Sequence, residues 1–104
     1  METLTRLEQT IAQRRAADPS QSYVASLHAK GMPQIARKLG EEGVEAAVAA
    51  LSGTDGELVG EAADILFHLI VALNARDIAF ADVLAELDRR EGMSGIEEKA
   101  SRSA

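Results

Sequence analysis

Between Leu58 and Leu73, apolar residues recur at steps of three and four, at Leu58, Ala62, Ile65, Leu66, Leu69 and Leu73. Phe67, Ile70 and Val71 fill the remaining faces of the second half. A helix with this pattern has to be covered on nearly every side. A chain of 104 residues buries only roughly 60 to 70% of its unfolded surface, so covering such a helix calls for a partner subunit. The longest apolar stretch, Ala62 to Leu73, is broken by Asp64 and His68 and is too short to cross a bilayer. The N-terminal residues hold no uninterrupted apolar run, so neither a secretion signal nor a membrane anchor is expected.

Composition agrees with helices. Nineteen alanines stand against one Tyr, two Phe and no Trp, which favours helices packed through small aliphatic side chains over an aromatic-rich sandwich. We expect a single all-α domain over residues 1–104, with 94–104 as a C-terminal tail. The chain has no cysteine, which excludes disulfides, thiolate catalysis and Cys-ligated zinc and makes the cytoplasm the expected compartment. A formal net charge of −6 would repel a polyanion, so nucleic acid is not an expected partner.

Five helices are predicted. The first spans Thr3 to Ala17, with Leu4, Leu7 and Ile11 on one stripe, and is stopped by Asp18-Pro19-Ser20. Ser20 or Ser22 caps a short second helix that Gly31 ends. Pro33 suits the first turn of a third helix running to about Leu51, whose apolar side is Ile35, Leu39, Val44, Val48 and Leu51. Thr54 and Glu57 have capping-box spacing at the start of the fourth. Asn74 to Ala79 form a connector, and Phe80, Val83, Leu84 and Leu87 mark a fifth helix. Ser94 and Glu97 repeat the capping-box spacing, which predicts a final turn or two over Gly95 to Arg102.

The chemistry lies in Glu41-Glu42-Gly43-Val44-Glu45 and Glu61-Ala62-Ala63-Asp64. Glu42 (or Glu41) shares a helix face with Glu45, and Glu61 with Asp64. The short turn between the two helices sets the pairs at comparable distances on either side, so a hairpin brings them face to face. Four carboxylates converging within about 5 Å would repel by roughly 3 kcal/mol per pair at an effective dielectric of 20. A divalent cation reverses that sign, and all-oxygen ligation favours magnesium, with manganese as the variant. Such spacing is also common on solvated helix faces. The apolar flank of Glu61 and Asp64 sets this pair apart, because it predicts a position near buried surface.

The pattern Glu-Glu-x-x-Glu, a turn, then Glu-x-x-Asp resembles the all-α nucleoside triphosphate pyrophosphohydrolases of the MazG-like superfamily. Ser22-Tyr23, Lys38 to Glu45, Glu61 to Leu69 and Ser94 to Lys99 resemble more closely the phosphoribosyl-ATP pyrophosphohydrolase family, over nearly the whole chain from Leu4 to Arg102. The resemblance implies magnesium-dependent hydrolysis of phosphoribosyl-ATP to phosphoribosyl-AMP and pyrophosphate, the second step of histidine biosynthesis. It implies an intertwined homodimer built of four-helix bundles, and Glu42, Glu45, Glu61 and Asp64 as metal ligands. Val24 and Gln34 depart from the family pattern, which has Thr after Ser-Tyr and often a basic residue at the second position.

Around these ligands, Glu41 is a candidate to orient water, with exposure to solvent as the bland reading. Lys38, one turn before Glu42, is a candidate phosphate contact or a surface ion pair. His68 falls on the face of Glu61 and Asp64, either as a substrate or supporting contact or as a satisfied core histidine. Tyr23 either stacks on the substrate or packs in the core. Lys99 and Arg102 are candidate phosphate contacts in the family-like tail, Arg76, Arg89 and Arg90 are expected to be mostly solvated, and His28 is expected at the surface. Two alternative functions use the same features: a house-cleaning nucleoside triphosphate pyrophosphohydrolase, and a noncatalytic helical dimerisation module. A fused cyclohydrolase activity is not expected, for want of length and of zinc-binding cysteines.

Overall fold

The computed structural model describes residues 2–91 together with Gly95, Lys99, Ala100 and Arg102. Five helices follow in order: α1 (Glu2–Arg14), α2 (Tyr23–Lys30), α3 (Met32–Ser52), α4 (Asp55–Ala75) and α5 (Phe80–Arg90), with no strand among the described residues. The all-α expectation holds. Gly95, Lys99, Ala100 and Arg102 are helical, whereas the expected Ser94/Glu97 capping box lies outside the described residues.

Local chemistry accounts for the boundaries. α1 stops at Arg14, short of Ala17, because the Asp18 carboxylate takes both the backbone N–H and the hydroxyl of Ser20 (2.9 and 2.8 Å) and closes a turn there. Ser22, and not Ser20, caps α2 by accepting from the Ala25 N–H. Gly31 separates α2 from α3 at φ 91°, ψ 178°, a conformation open essentially to glycine alone. The Thr54–Glu57 capping box is complete in both directions and opens α4. α5 has no side-chain cap of its own. Glu8 on α1 accepts the Phe80 N–H at 2.8 Å and ties the two ends of the fold together.

α3 and α4 form an antiparallel hairpin about Gly53. A Cβ there would come within 3.0 Å of the Ala49 backbone, so the turn is as tight as it is only because the residue is glycine. The core gathers at the far end of the hairpin, where Ile11, Val24, Leu27, Ile35, Ile70, Val71 and Phe80 pack together. The turn end projects free. Its apolar residues Val44, Val48 and Leu51 on α3, and Val59 on α4, are more than half exposed, Leu51 at 87%. The radius of gyration is accordingly 15.7 Å, against about 13 Å for a compact chain of this length. The expected apolar side of α3 therefore splits: Ile35 is buried, while Val44, Val48 and Leu51 face outward. By length and composition alone the whole of α4 is apolar enough to cross a membrane, although the apolar stretch within it, Ala62 to Leu73, is shorter. It carries Glu61, Asp64 and His68 along its length and packs on α3 and α1.

Gly31→Ala is expected to lower stability by about 1–3 kcal/mol, since the added methyl meets nothing closer than Pro33 Cδ at 3.8 Å and the cost is backbone strain alone. Urea unfolding checks this; an unchanged midpoint contradicts it.

Candidate functional site

The α3–α4 hairpin places its acidic residues by register. Glu45 lies eight residues before Gly53 and Glu61 eight after, so both stand roughly 12 Å from the turn and meet across the helix pair. One carboxylate oxygen each from Glu42, Glu45 and Glu61 lies within 4.8 Å of the other two. Asp64 is exposed and outside this group, although its charge acts on both Glu42 and Glu61. The predicted convergence of four carboxylates is thus a close triad with a fourth beside it.

Burial separates these groups from an ordinary acidic surface. Glu42 is only 7% exposed, and the Oε2 atoms of both Glu42 and Glu61 are sealed from solvent without a hydrogen-bond partner. An unpaired buried carboxylate oxygen is costly. Burial first, and then the neighbouring Glu45 charge, push the Glu42 and Glu61 carboxyls above their ordinary values. Such a donor set, all oxygen and short of positive charge, fits a hard divalent cation. Lys38, one turn before Glu42, does not pair with the triad. It pairs instead with Glu41 at 3.6 Å, and Arg37 approaches the same carboxylate at 3.7 Å.

The other candidates are placed as follows. His68 is buried, with both ring nitrogens engaged: Nδ1 lies 2.8 Å from the Asp64 carbonyl and Nε2 2.9 Å from the Tyr23 hydroxyl. Tyr23 stacks on Phe67 at 6.0 Å and leaves about half its surface open. Lys99 and Arg102 are helical and exposed. Arg89 and Arg90 both hold Glu86, whose carboxyl they pull down to about 2. Val24, one of the departures from the family pattern, is a core residue, and Gln34 accepts from Arg37. His28 is half-buried, contrary to expectation, because it is tucked beside Arg15, Ala12 and Ala25 where α1 meets α2. Arg37 and the Tyr23–His68 bond escaped the sequence reading. Nothing local signals a contact between residues 45 positions apart.

Two open hollows flank the triad. One of about 380 Å³ runs toward the turn between Val48, Glu57 and Glu61. The other, about 710 Å³, lies over Lys38, Glu41 and Glu45. The triad is therefore buried on its inner side and accessible along the hairpin.

Fold and site together define an all-helical protein with a carboxylate cluster held across a helical hairpin. The family description of phosphoribosyl-ATP pyrophosphohydrolase matches residues 4–91. The chain is 67% identical over 102 residues to a phosphoribosyl-ATP pyrophosphatase of Novosphingobium aromaticivorans, covering 98% of this chain and 95% of that one. It is 63% identical to one of Erythrobacter litoralis, covering 98% of each. With one of Rhizorhabdus wittichii it shares 66% identity, over 96% of this chain and 94% of that one. The chain belongs to the phosphoribosyl-ATP pyrophosphohydrolase family, and with that membership it is an enzyme, a hydrolase of a phosphoric anhydride.

The raised carboxyls carry a consequence for stability. Glu42 and Glu61 bind their protons more tightly folded than unfolded, so their contribution is fully present below the ordinary carboxylate range and is lost as pH rises through the raised values. In metal-free protein, Glu42→Gln, which keeps the volume and cannot ionise, is expected to raise the urea midpoint at pH 8. The advantage is expected to vanish in acid, where Glu42 is itself neutral. Equal midpoints at pH 8 contradict it.

Proposed function

We propose that this chain hydrolyses the α–β phosphoanhydride of phosphoribosyl-ATP, giving phosphoribosyl-AMP and pyrophosphate in histidine biosynthesis, with magnesium as cofactor and as a cytoplasmic homodimer. The observation that carries the reading is the convergence of Glu42, Glu45 and Glu61, two of which also hold a buried, unpartnered oxygen, in a member of this family.

Glu42, Glu45 and Glu61 would hold the cation, with Asp64 as the fourth ligand; manganese is the alternative ion. When bound, the cation offsets the carboxylates' mutual repulsion, polarises phosphate oxygens and makes a bound water more acidic. The protein's own part is to set these groups before substrate arrives, since phosphoryl chemistry leaves little covalent work to side chains. Water adds to the α phosphorus and gives up a proton to solvent, the bond from that phosphorus to the bridging oxygen breaks, and pyrophosphate leaves with that electron pair. Glu41, at the edge of the hollow, orients the water. Lys38 lies in the same hollow as a point charge for a phosphate. Lys99 and Arg102 supply further positive charge from the tail. Tyr23 offers the open part of its ring to the base or ribose, and His68 stands behind it.

The homodimer is supported by the outward apolar face. Monomers rarely leave apolar surface of this kind uncovered; Val44 and Val48 line the acidic hollow, and Leu51 and Val59 are exposed beyond it. A second hairpin laid against this face completes a four-helix bundle and narrows access to the triad.

Pyrophosphate release with phosphoribosyl-ATP and magnesium is expected to fall at least about 100-fold in Asp64→Asn and in Glu42→Gln. Undiminished rates in both variants contradict the site. A strong preference of the parent for ordinary or damaged deoxynucleoside triphosphates would favour the house-cleaning alternative, and no magnesium-dependent release at all would favour the noncatalytic module.

Leu51→Glu, which sets a charge in the middle of the apolar face, is expected to shift the sedimentation mass from dimer to monomer. A parent chain that sediments as a monomer at micromolar concentration overturns the dimer.

A further inference from the structure

His68 and Tyr23 join two helices that otherwise touch little. α2 packs against α3 and α1, while α4 packs against α3 and α1, and the Tyr23–His68 hydrogen bond crosses directly between α2 and α4. The direction of the bonds follows from the acceptors. The Asp64 carbonyl can only accept, so His68 Nδ1 carries the proton and donates to it at 2.8 Å. In the neutral ring Nε2 is then the acceptor, and the Tyr23 hydroxyl donates to it at 2.9 Å. Phe67 holds the assembly from one side, stacked on Tyr23 at 6.0 Å and edge-on to His68 at 5.2 Å. His68 is buried at 5% exposure and its charge would act on the Glu42 carboxyl, so the ring stands beside the acidic triad.

From this geometry we propose that His68 and Tyr23 are positioning residues of the carboxylate site: Tyr23 orients the His68 ring, and the ring pins the backbone of Asp64. The inference rests on the carboxylate cluster being the cation site. Asp64 lies one helical turn beyond Glu61, and the carbonyl at residue 64 already faces the His68 N–H in the helix ladder. A second donor on that carbonyl restrains the tilt of the peptide at the turn where Asp64 is carried. Asp64 itself is exposed and stands outside the close triad, so its place relative to Glu42, Glu45 and Glu61 depends on how its backbone is held. The restraint reaches it from α2 through a side chain with both nitrogens occupied, which leaves neither nitrogen free for substrate.

The two bonds can be cut one at a time. Tyr23→Phe removes only the hydroxyl and keeps the stack on Phe67. His68→Asn puts an amide donor near the place of Nδ1 but cannot reach Tyr23. His68→Gln reaches toward Tyr23 but leaves the Asp64 carbonyl without its second donor. Mn²⁺ binding by titration calorimetry on each folded full-length variant is the readout, with urea midpoints measured alongside. His68→Gln is expected to weaken Mn²⁺ binding about 10-fold, the lower end for supporting groups at metal sites. Tyr23→Phe is expected to weaken it severalfold, and His68→Asn to recover most of the parent affinity. Parent-like Mn²⁺ affinity in both Tyr23→Phe and His68→Gln overturns the proposal. So does a rise in KM for phosphoribosyl-ATP at unchanged Mn²⁺ affinity in Tyr23→Phe and His68→Gln, which would make the Tyr23 hydroxyl and the His68 ring, and not only the Tyr23 face, substrate ligands. If the parent chain itself binds no Mn²⁺, the cation reading of the triad falls and this inference falls with it, an outcome separate from a failure confined to the variants.

Discussion

Three carboxylates held within 4.8 Å of one another, two of them with an oxygen sealed from water, form an arrangement that the folded chain has to maintain against its own electrostatics. Water is the environment that would relax such a cluster most easily, and Glu42 is largely shut away from it. What keeps the groups together is the rigidity of two 21-residue helices packed along the hairpin, each carrying its acids at a spacing of three residues. The tight turn at Gly53 sets the register between the helices, and the capping box at Thr54 fixes where α4 begins. Shifting either helix by a residue would rotate its acids by about 100° and disperse the cluster.

The remainder of the fold serves to anchor one end of that hairpin. α1, α2 and the start of α5 bury their apolar residues around Ile35, Ile70 and Val71, distant from the turn. The acids sit between this packed end and the outward-facing valines and leucines. That placement gives the site a buried inner wall and an open outer one, and it puts the apolar face next to the acidic hollows. Stability and chemistry thus occupy successive segments of the same two helices.

Much of this was legible in the linear chain. The helix count, the Thr54 capping box and the glycine at the end of α2 are local signals, whereas spacing alone left both Glu41 and Glu42 open as the partner of Glu45. The reading failed where a distant residue changed a local preference. His28 was covered at the junction of α1 and α2, and the start of α5 was held by Glu8 from 72 residues away; the end of α1 at Arg14, by contrast, moved only by the few residues that the nearby Asp18 turn took up. Val44, Val48 and Leu51 carry a helical apolar pattern, but the pattern does not say whether the covering surface belongs to the same chain.

By itself the sequence determined the helices and which acids share a face, because both depend on periodicity and on contacts within one turn. Tertiary structure alone decided that Glu42 is buried while Asp64 is exposed, that Lys38 answers Glu41 and not the triad, and that Tyr23 meets His68. The reason is that burial and pairing belong to the space between helices. Periodicity orients a side chain about its own axis, and only the packing of a second axis against the first determines what that side chain meets.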